Sequence, residues 1–405
     1  MKNSIICIIL FFVSAFGTAQ NLQSYITEAQ ENNPTIKAFE FRYNTALEKV
    51  NEVNSLPNTE FGLGYFVSEP ETRTGTQLAR FSAKQMLPWF GTISKRQDYA
   101  LALSETDYFD YLVAKRKLAL EVAHSYYKLF GIKAKQEVVD QNIQLLNTYE
   151  KLVLTAIEVG KSSAVELLKL QIRQNEMQLQ KDVLHETFIS EQVQMNNLLD
   201  RKTYQTIVVN AEMIIPDWDP IVIDSLQLNP ELLRFDKMYA SIQQADLLNQ
   251  KEAAPMLGVG LDYIPVEAMP DVNILENGKD VLMPMVSLSI PIFNKQYHSR
   301  TKQNEFRKQE IEFQKQERWN VLTSSLSKAI AQRNDARLSF NTQIKNINQA
   351  KDAEQILIKK FETAIVNIDA LLEIQELQLK FELKKIQSIE MYYNQSAIIN
   401  YLTNQ

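Results

Sequence analysis

Apolar and polar residues alternate with a period of two in four short stretches of this chain. In Glu60 to Val67, the apolar residues Phe61, Leu63, Tyr65 and Val67 flank Gly62 and Gly64. From Leu78 to Leu87, Ala79, Phe81, Ala83 and Leu87 share one face, and Arg80, Ser82 and Lys84 the other. Leu257, Val259, Leu261 and Tyr263 oppose Gly258, Gly260 and Asp262, and Val286, Leu288, Ile290 and Ile292 oppose Ser287 and Ser289. The pattern predicts strands over about 60–67, 78–87, 257–264 and 285–292, each with one face against water and one against lipid or a core. Each is close to the ~9 to 11 residues that cross a bilayer at a tilt. The links Ser68 to Thr76 and Pro265 to Asp280 are polar and rich in turn residues, as loops outside a membrane are.

Between the strands the periodicity is helical. Thr92 to about Glu158 has no proline and a single glycine, Gly131, so one helix there reaches about 100 Å at ~1.5 Å per residue. A return helix over about 163–199 repeats Leu170, Met177, Leu184 and Leu198 on a seven-residue interval that Glu191 interrupts. Long helices are expected again over about 295–362 and 368–402, the last with Leu372, Leu379, Ile386 and Tyr393 at the same interval. Sustained sevens predict helices packed side by side as coiled coils. Gly160 marks a helix stop, and Ser163 with Glu166 fits a capping box. Asn367 is a cap candidate, and Asp369 lies where the helix dipole favours an anion. The two reversals are expected to be neighbours.

The order of elements occurs twice, about 200 residues apart. Asn33-Pro34 answers Asn229-Pro230, Gly62-Leu63-Gly64 answers Gly258-Val259-Gly260, and Pro88-Trp89-Phe90 answers Pro291-Ile292-Phe293. Further on, Glu166 to Gln171 answers Ala370 to Gln375. The expected organisation is a leader over residues 1–19, a first repeat over 20–202, a linking segment over 203–228 and a second repeat over 229–405.

Composition narrows the setting. Lys2, the apolar run Ile5 to Phe16 and small residues at Gly17 and Ala19 read as a secretory signal cleaved near Ala19. The single cysteine, Cys7, falls inside it, so the mature chain has no disulfide, and export without disulfides suits a bacterial envelope protein. With a formal net charge of -6 and no basic block, nucleic acid is not an expected partner. Ten glycines in 405 residues agree with few turns and long elements. No later apolar run is long enough for a spanning helix, so entry into a membrane must be as strands. Four strands cannot close a barrel, because an open edge in lipid leaves backbone groups unpaired. The chain must then oligomerise, and two, three or four copies would supply eight, twelve or sixteen strands.

Candidate chemistry is sparse. His124, His185 and His298 stand alone, and no nucleophile–base grouping, phosphate loop or paired cysteine motif appears, so neither catalysis nor a cofactor is expected. Met256, Met269, Met283 and Met285 gather around the second strand pair, either as soft metal ligands or, the favoured reading, as flexible apolar filler. Trp89 and Phe90 read as packing at a strand–helix junction with contact to an interfacial belt. Arg80 and Lys84 either face a lumen and bias its field or form salt bridges across strands.

In this order of parts the chain resembles the TolC-like outer-membrane efflux family. The residues that carry the resemblance are Gly160 to Gln171, Asn367 to Gln375, Gln85 to Gly91 and Leu288 to Phe293, and it covers nearly all of the mature chain. The resemblance implies a mainly α fold with a membrane β part: a homotrimer whose twelve strands form one outer-membrane barrel, continued by a periplasmic tunnel of helices. It implies docking of a periplasmic adaptor and an inner-membrane transporter at the hairpin tips, here Gly160, Lys161, Ser162 and Ser163 and Ala364, Ile365, Val366 and Asn367. It also implies an acidic constriction beside the second tip. Glu373 occupies one such position, Ala370 the other, and Asp369 stands next to it. The rival reading makes Asp369 a dipole-stabilising residue and Glu373 a solvated charge. The expected function is a passive exit duct of a tripartite efflux pump, gated at the hairpin tips. The alternative is a secreted coiled-coil structural or adaptor protein that never enters lipid.

Overall fold

The computed structural model describes residues 17–210, 212–216, 223–271, 273–363 and 365–403. Residues 1–16 of the expected leader, Cys7 among them, and the tip residue Ala364 lie outside this set. Each half of the chain opens with an Asn-Pro pair that closes one helix system and starts the next. Helix α1 (Gly17–Asn32) is followed by Asn33 and by α2 (Pro34–Glu52). The Asn33 side-chain oxygen accepts from the Thr35 N–H at 2.9 Å, an N-cap, and proline at the first helical position has no amide to leave unpaired. The Asn33 amide nitrogen donates to the Leu198 carbonyl at 3.0 Å, one of the free acceptors at the end of another helix. Asn229, ahead of a helix that starts at Pro230, repeats the device: its amide donates to the carbonyls of Tyr401 at 3.2 Å and Leu402 at 3.1 Å.

After α2 come β1 (Glu60–Tyr65), the short β2 (Glu71–Thr72) and β3 (Gly75–Gln77), and β4 (Ala79–Leu87). Two long helices follow, α3 (Thr92–Glu158) and α4 (Ala164–Leu198). The second half runs through a 3-10 turn (Ile223–Leu228) and α5 (Pro230–Glu252) to β5 (Met256–Ile264), β6 (Val266–Glu267) and β7 (Val281–Ser289). It closes with α6 (Gln296–Glu362) and α7 (Ile368–Thr403). Among the described residues no helix is long and apolar enough to cross a membrane.

The chain divides into two units. One gathers Phe39–Asp110 and Glu231–Arg318 and holds both sheets. Its larger sheet is antiparallel in the order β1-β4-β5-β7, and its smaller one runs β2-β3-β6. The fourth strand, expected over 285–292, instead occupies Val281–Ser289. Pairing sets its span, because Ile264 faces Val281 and Met256 faces Ser289. Past Ser289 the chain turns, with the Ile292 N–H donating to the Ile290 carbonyl at 3.0 Å, and Pro291 has no donor for a ladder. The links, expected as irregular loops, contain the small sheet. It is fastened by the Gly278 N–H to the Thr74 carbonyl (2.7 Å), the Leu78 N–H to the Pro265 carbonyl (3.1 Å) and the Val266 N–H to Asp280 Oδ1 (3.0 Å).

The other unit holds the chain up to Ala38, Tyr111–Pro230 and the chain from Trp319 onward. One of its cores packs Tyr25, Ala29, Leu118, Val122, Tyr126 and Leu199 against the linking segment through Ile207 and Val209. That segment runs extended, so alternate residues turn inward, and the Val208 N–H donates to the Tyr25 hydroxyl at 3.0 Å. A second core joins α3, α4, α6 and α7 near the helix reversals through Leu146, Tyr149, Val153, Leu170, Phe361, Ile368 and Leu371. Glu191, the break in the heptad pattern, keeps its inward place in α4. It is 4% exposed and is satisfied by the Ser125 hydroxyl at 2.8 Å and the Lys128 ammonium at 2.5 Å.

Candidate functional site

The register of the larger sheet sorts its side chains into two unlike faces. Rows on one face read Leu63–Phe81–Tyr263–Leu282, then Phe61–Ala83–Leu261–Pro284, then Gln85–Val259–Val286 and Leu87–Leu257–Leu288, with Gln85 the one polar member. This face lies open: Phe61 is 82%, Leu63 74% and Val286 76% exposed. So large an apolar surface on a folded sheet needs a cover. Rows on the opposite face mix small, polar and charged residues with methionine: Gly62–Ser82–Asp262–Met283, Glu60–Lys84–Gly260–Met285 and Met86–Gly258–Ser287. Glycine at 258 leaves room for its neighbours, since a Cβ there would stand 2.3 Å from Ser287 Oγ and 2.8 Å from Met86 Sδ and make those side chains shift. The outer strands β1 and β7 each pair on one side only.

Arg80 and Lys84 both lie on this polar face. Arg80 pairs across strands with Asp262, which is 0% exposed, so the cross-strand salt bridge is the reading that the geometry selects for its partner. Lys84 stands in register with Glu60. The Arg80 guanidinium also approaches Met285 Sδ at 3.9 Å, which places a fixed cation among the thioethers where a metal ion would have to sit. Among the described residues no group of three His, Cys, Asp or Glu side chains forms a metal site.

The second candidate site is the pair of helix reversals. Gly160, at φ 71°, ends α3 in a left-handed turn: its N–H bonds the Ile157 carbonyl at 3.0 Å and the Lys161 N–H bonds the Ala156 carbonyl at 2.8 Å. At the other reversal the Ile365 N–H reaches the Lys360 carbonyl at 2.9 Å. Gly160, Lys161, Ser163, Ile365 and Asn367 are exposed, and Ser162 and Val366 half-buried. Lys169 on α4 donates to both oxygens of Asp369 at 2.9 Å, which joins the two hairpins side by side. Glu373 is exposed one turn further along α7. Sequence reading did not give Asp369 this partner, because nothing in the spacing of residues 169 and 369 announces the contact.

Glu166 is the other residue that binds the reversals together. It accepts from the Ser162 hydroxyl and, at 2.9 Å, from the Ser163 N–H. The Ser162 hydrogen bond first, then the backbone bonds from Ser163 and Ile368, hold its carboxyl below the ordinary value of 4.5, against burial and the nearby Asp369. A carboxylate with a lowered folded pKa stabilises above its unfolded pKa, and that contribution is lost as pH falls through the folded value. The protection of the Ser163 and Glu166 amides, taken relative to the intrinsic exchange rate at each pH, is therefore expected to fall below about pH 4.5 in the wild type, whereas Glu166→Gln should be less protected at neutral pH and show little further change.

Two-faced strands of this kind, paired with helices of this length, are a known combination. Residues 25–197 match the outer membrane efflux protein family. Over those residues the chain is similar to the TolC-like outer membrane efflux family. The matched family and the similar solved structures are non-enzymatic outer-membrane channels. No curated protein matches the chain in sequence. Its fold is shared with VceC, an outer membrane protein of Vibrio cholerae, at 13% identity and a TM-score of 0.75, over 96% of this chain and 97% of that one. The CmeC outer membrane channel of Campylobacter jejuni is similar at 13% identity and a TM-score of 0.73, over 95% and 85% of the two chains. The open state of the MtrE outer membrane channel of Neisseria gonorrhoeae gives 12% identity and a TM-score of 0.74, over 95% and 89%.

Proposed function

We propose that this chain is the outer-membrane exit duct of a tripartite pump, exported by a leader cut near Ala19 and assembled as a homotrimer with its helices in the periplasm. The observation that carries the proposal is the four-stranded sheet, with one exposed face that is apolar apart from Gln85, one largely polar face and two unpaired edges. Lipid covers the apolar face, and further copies pair with the edges that lipid cannot satisfy. Three copies bring twelve strands, a closed ring with the Arg80–Asp262 pair and Lys84 toward the lumen. Aromatic residues bracket the aliphatic rows, with Tyr65, Phe81 and Tyr263 toward the links and Trp89, Phe90 and Phe293 beyond the other rim, like the girdles of membrane barrels. The two structural repeats, 20–202 and 229–405, each contribute one strand pair and one helix pair to this plan.

The hairpin tips, Gly160 to Ser163 and Ala364 to Asn367, then serve as the docking end for a periplasmic adaptor and an inner-membrane transporter. Asp369 and Glu373 from three copies converge there as an acidic gate. Single-channel recording in planar bilayers, with the oligomer mass measured on the same detergent extract, tests the reading. Discrete steps from a trimer support the duct, and a water-soluble chain without steps overturns it. Divalent cations are expected to lower the conductance, and Asp369→Ala with Glu373→Ala to weaken that block severalfold. An unchanged block removes both residues from the gate.

A further inference from the structure

The two rims of the larger sheet differ in charge. On the link side Glu69, Glu71, Glu267, Glu276 and Asp280 outnumber Arg73 and Lys279. The helix side, marked by the row Leu87–Leu257–Leu288, is basic. Just past that row Phe90 and Phe293 are exposed, Phe293 at 96%; the last turn of α5 brings Lys251, and Lys295 precedes α6, whose second turn brings Lys302. Their basic neighbours Arg96 and Arg300 are paired with Glu252. These three lysines have no ion pair among the described residues, and the Lys251 ammonium lies 3.8 Å from where a Cβ on Gly91 would stand, next to Phe90 in the chain. Lys295 immediately precedes α6, its carbonyl accepting from the Ser299 N–H at 3.1 Å, and Lys302 follows seven residues on; both are exposed.

We infer that this collar of aromatic residues and unpaired lysines binds the headgroups of anionic phospholipids, with phosphatidylglycerol as the test lipid, in the leaflet on the helix side of the barrel. The inference rests on the exit-duct reading for the position of the membrane. Aromatic rings favour the headgroup level, and lysines just beyond it draw anionic lipid. Phosphate oxygens accept from the ammonium groups and supply the missing counter-charge. The acidic link rim, by the same electrostatics, disfavours such lipids, so the preference is one-sided.

The test uses the purified protein in mixed micelles of equal phosphatidylglycerol and phosphatidylcholine, with retained lipid counted by native mass spectrometry. Phosphatidylglycerol should be retained about threefold to tenfold over phosphatidylcholine at low salt, and the excess should shrink in high salt. The variant carrying Lys251→Gln, Lys295→Gln and Lys302→Gln should bring retention toward parity while its oligomer mass and helicity stay those of the wild type. Equal retention of both lipids by the wild type overturns the inference, as does a preference indifferent to salt or to the three substitutions. Should the variant not fold, the salt series on the wild type decides alone. A chain that fails to enter phosphatidylcholine vesicles at all overturns the exit-duct reading and this inference with it, whereas insertion without lipid preference overturns the inference only.

Discussion

Asp262→Asn is expected to cost the sheet stability and to turn the pore toward anions. Asp262 is wholly buried, and Arg80 is the charge that compensates it, since the carboxylate oxygens have no hydrogen-bond partner. Removing one member of a buried pair costs about 3–5 kcal/mol when both are buried, and the Arg80 side chain is 46% exposed, so solvent screening brings the cost below that range, to roughly 2–3 kcal/mol. The freed guanidinium keeps its charge at every accessible pH. In the proposed trimer three guanidinium groups are unmasked in one ring, adding to Lys84 in the next row. The expected result is a lower melting temperature of the detergent-purified variant and a reversal potential shifted toward anion preference under a salt gradient. Arg80→Gln with Asp262→Asn should restore the selectivity while keeping much of the stability, because neither charge is then buried alone. A single variant with unaltered reversal potential would place this pair outside the conducting path.

This pair also shows where the sequence was readable and where it was not. Alternation put Arg80 and Lys84 on the polar face, because period two needs only neighbouring residues. It left Asp262 without a role, since its partner lies some 180 residues away and the contact depends on the β4–β5 register. The fourth strand was misplaced for a similar reason. In Val281 to Met285 both faces are apolar and Pro284 looks like a break, yet β7 is an outer strand, where a proline is tolerated. The link sheet was invisible because two- and three-residue strands have no period to detect. The long helices were legible from the absence of proline and glycine, and the reversal at Gly160 from its left-handed stop. The pairing of the two reversals through Lys169, Glu166 and Asp369 was not, because it depends on which helices lie side by side.

Two kinds of contact join the hairpins, and their sizes predict which one governs opening. The Lys169–Asp369 bridge is the obvious latch, but its side chains are 50% and 40% exposed. An exposed pair contributes about 0–1 kcal/mol and weakens with salt. Beneath it Ile368 and Leu371 of α7 meet Leu170 of α4 and Leu146, Tyr149 and Val153 of α3 in a core that is 0% exposed at each of these positions. Truncating one such leucine to alanine costs about 2–5 kcal/mol, several times the bridge. The Tyr149 hydroxyl, beside this core, donates to Glu354 at 2.5 Å, and Glu354 accepts from Gln378 at 2.8 Å, so a polar clamp ties the same helices. Leu371→Ala is therefore expected to raise the basal conductance and to speed proteolysis at both reversals by an order of magnitude or more, whereas Lys169→Ala should change either by only a few fold. The ranking has a physical consequence for any partner that opens the tip. High salt alone cannot release it, since salt screens the bridge and leaves the core intact. The partner must insert apolar side chains of its own to replace the Ile368–Leu371 contacts. Equal effects of the two variants, or opening by salt alone, would show that the ion pair and not the core sets the closed state.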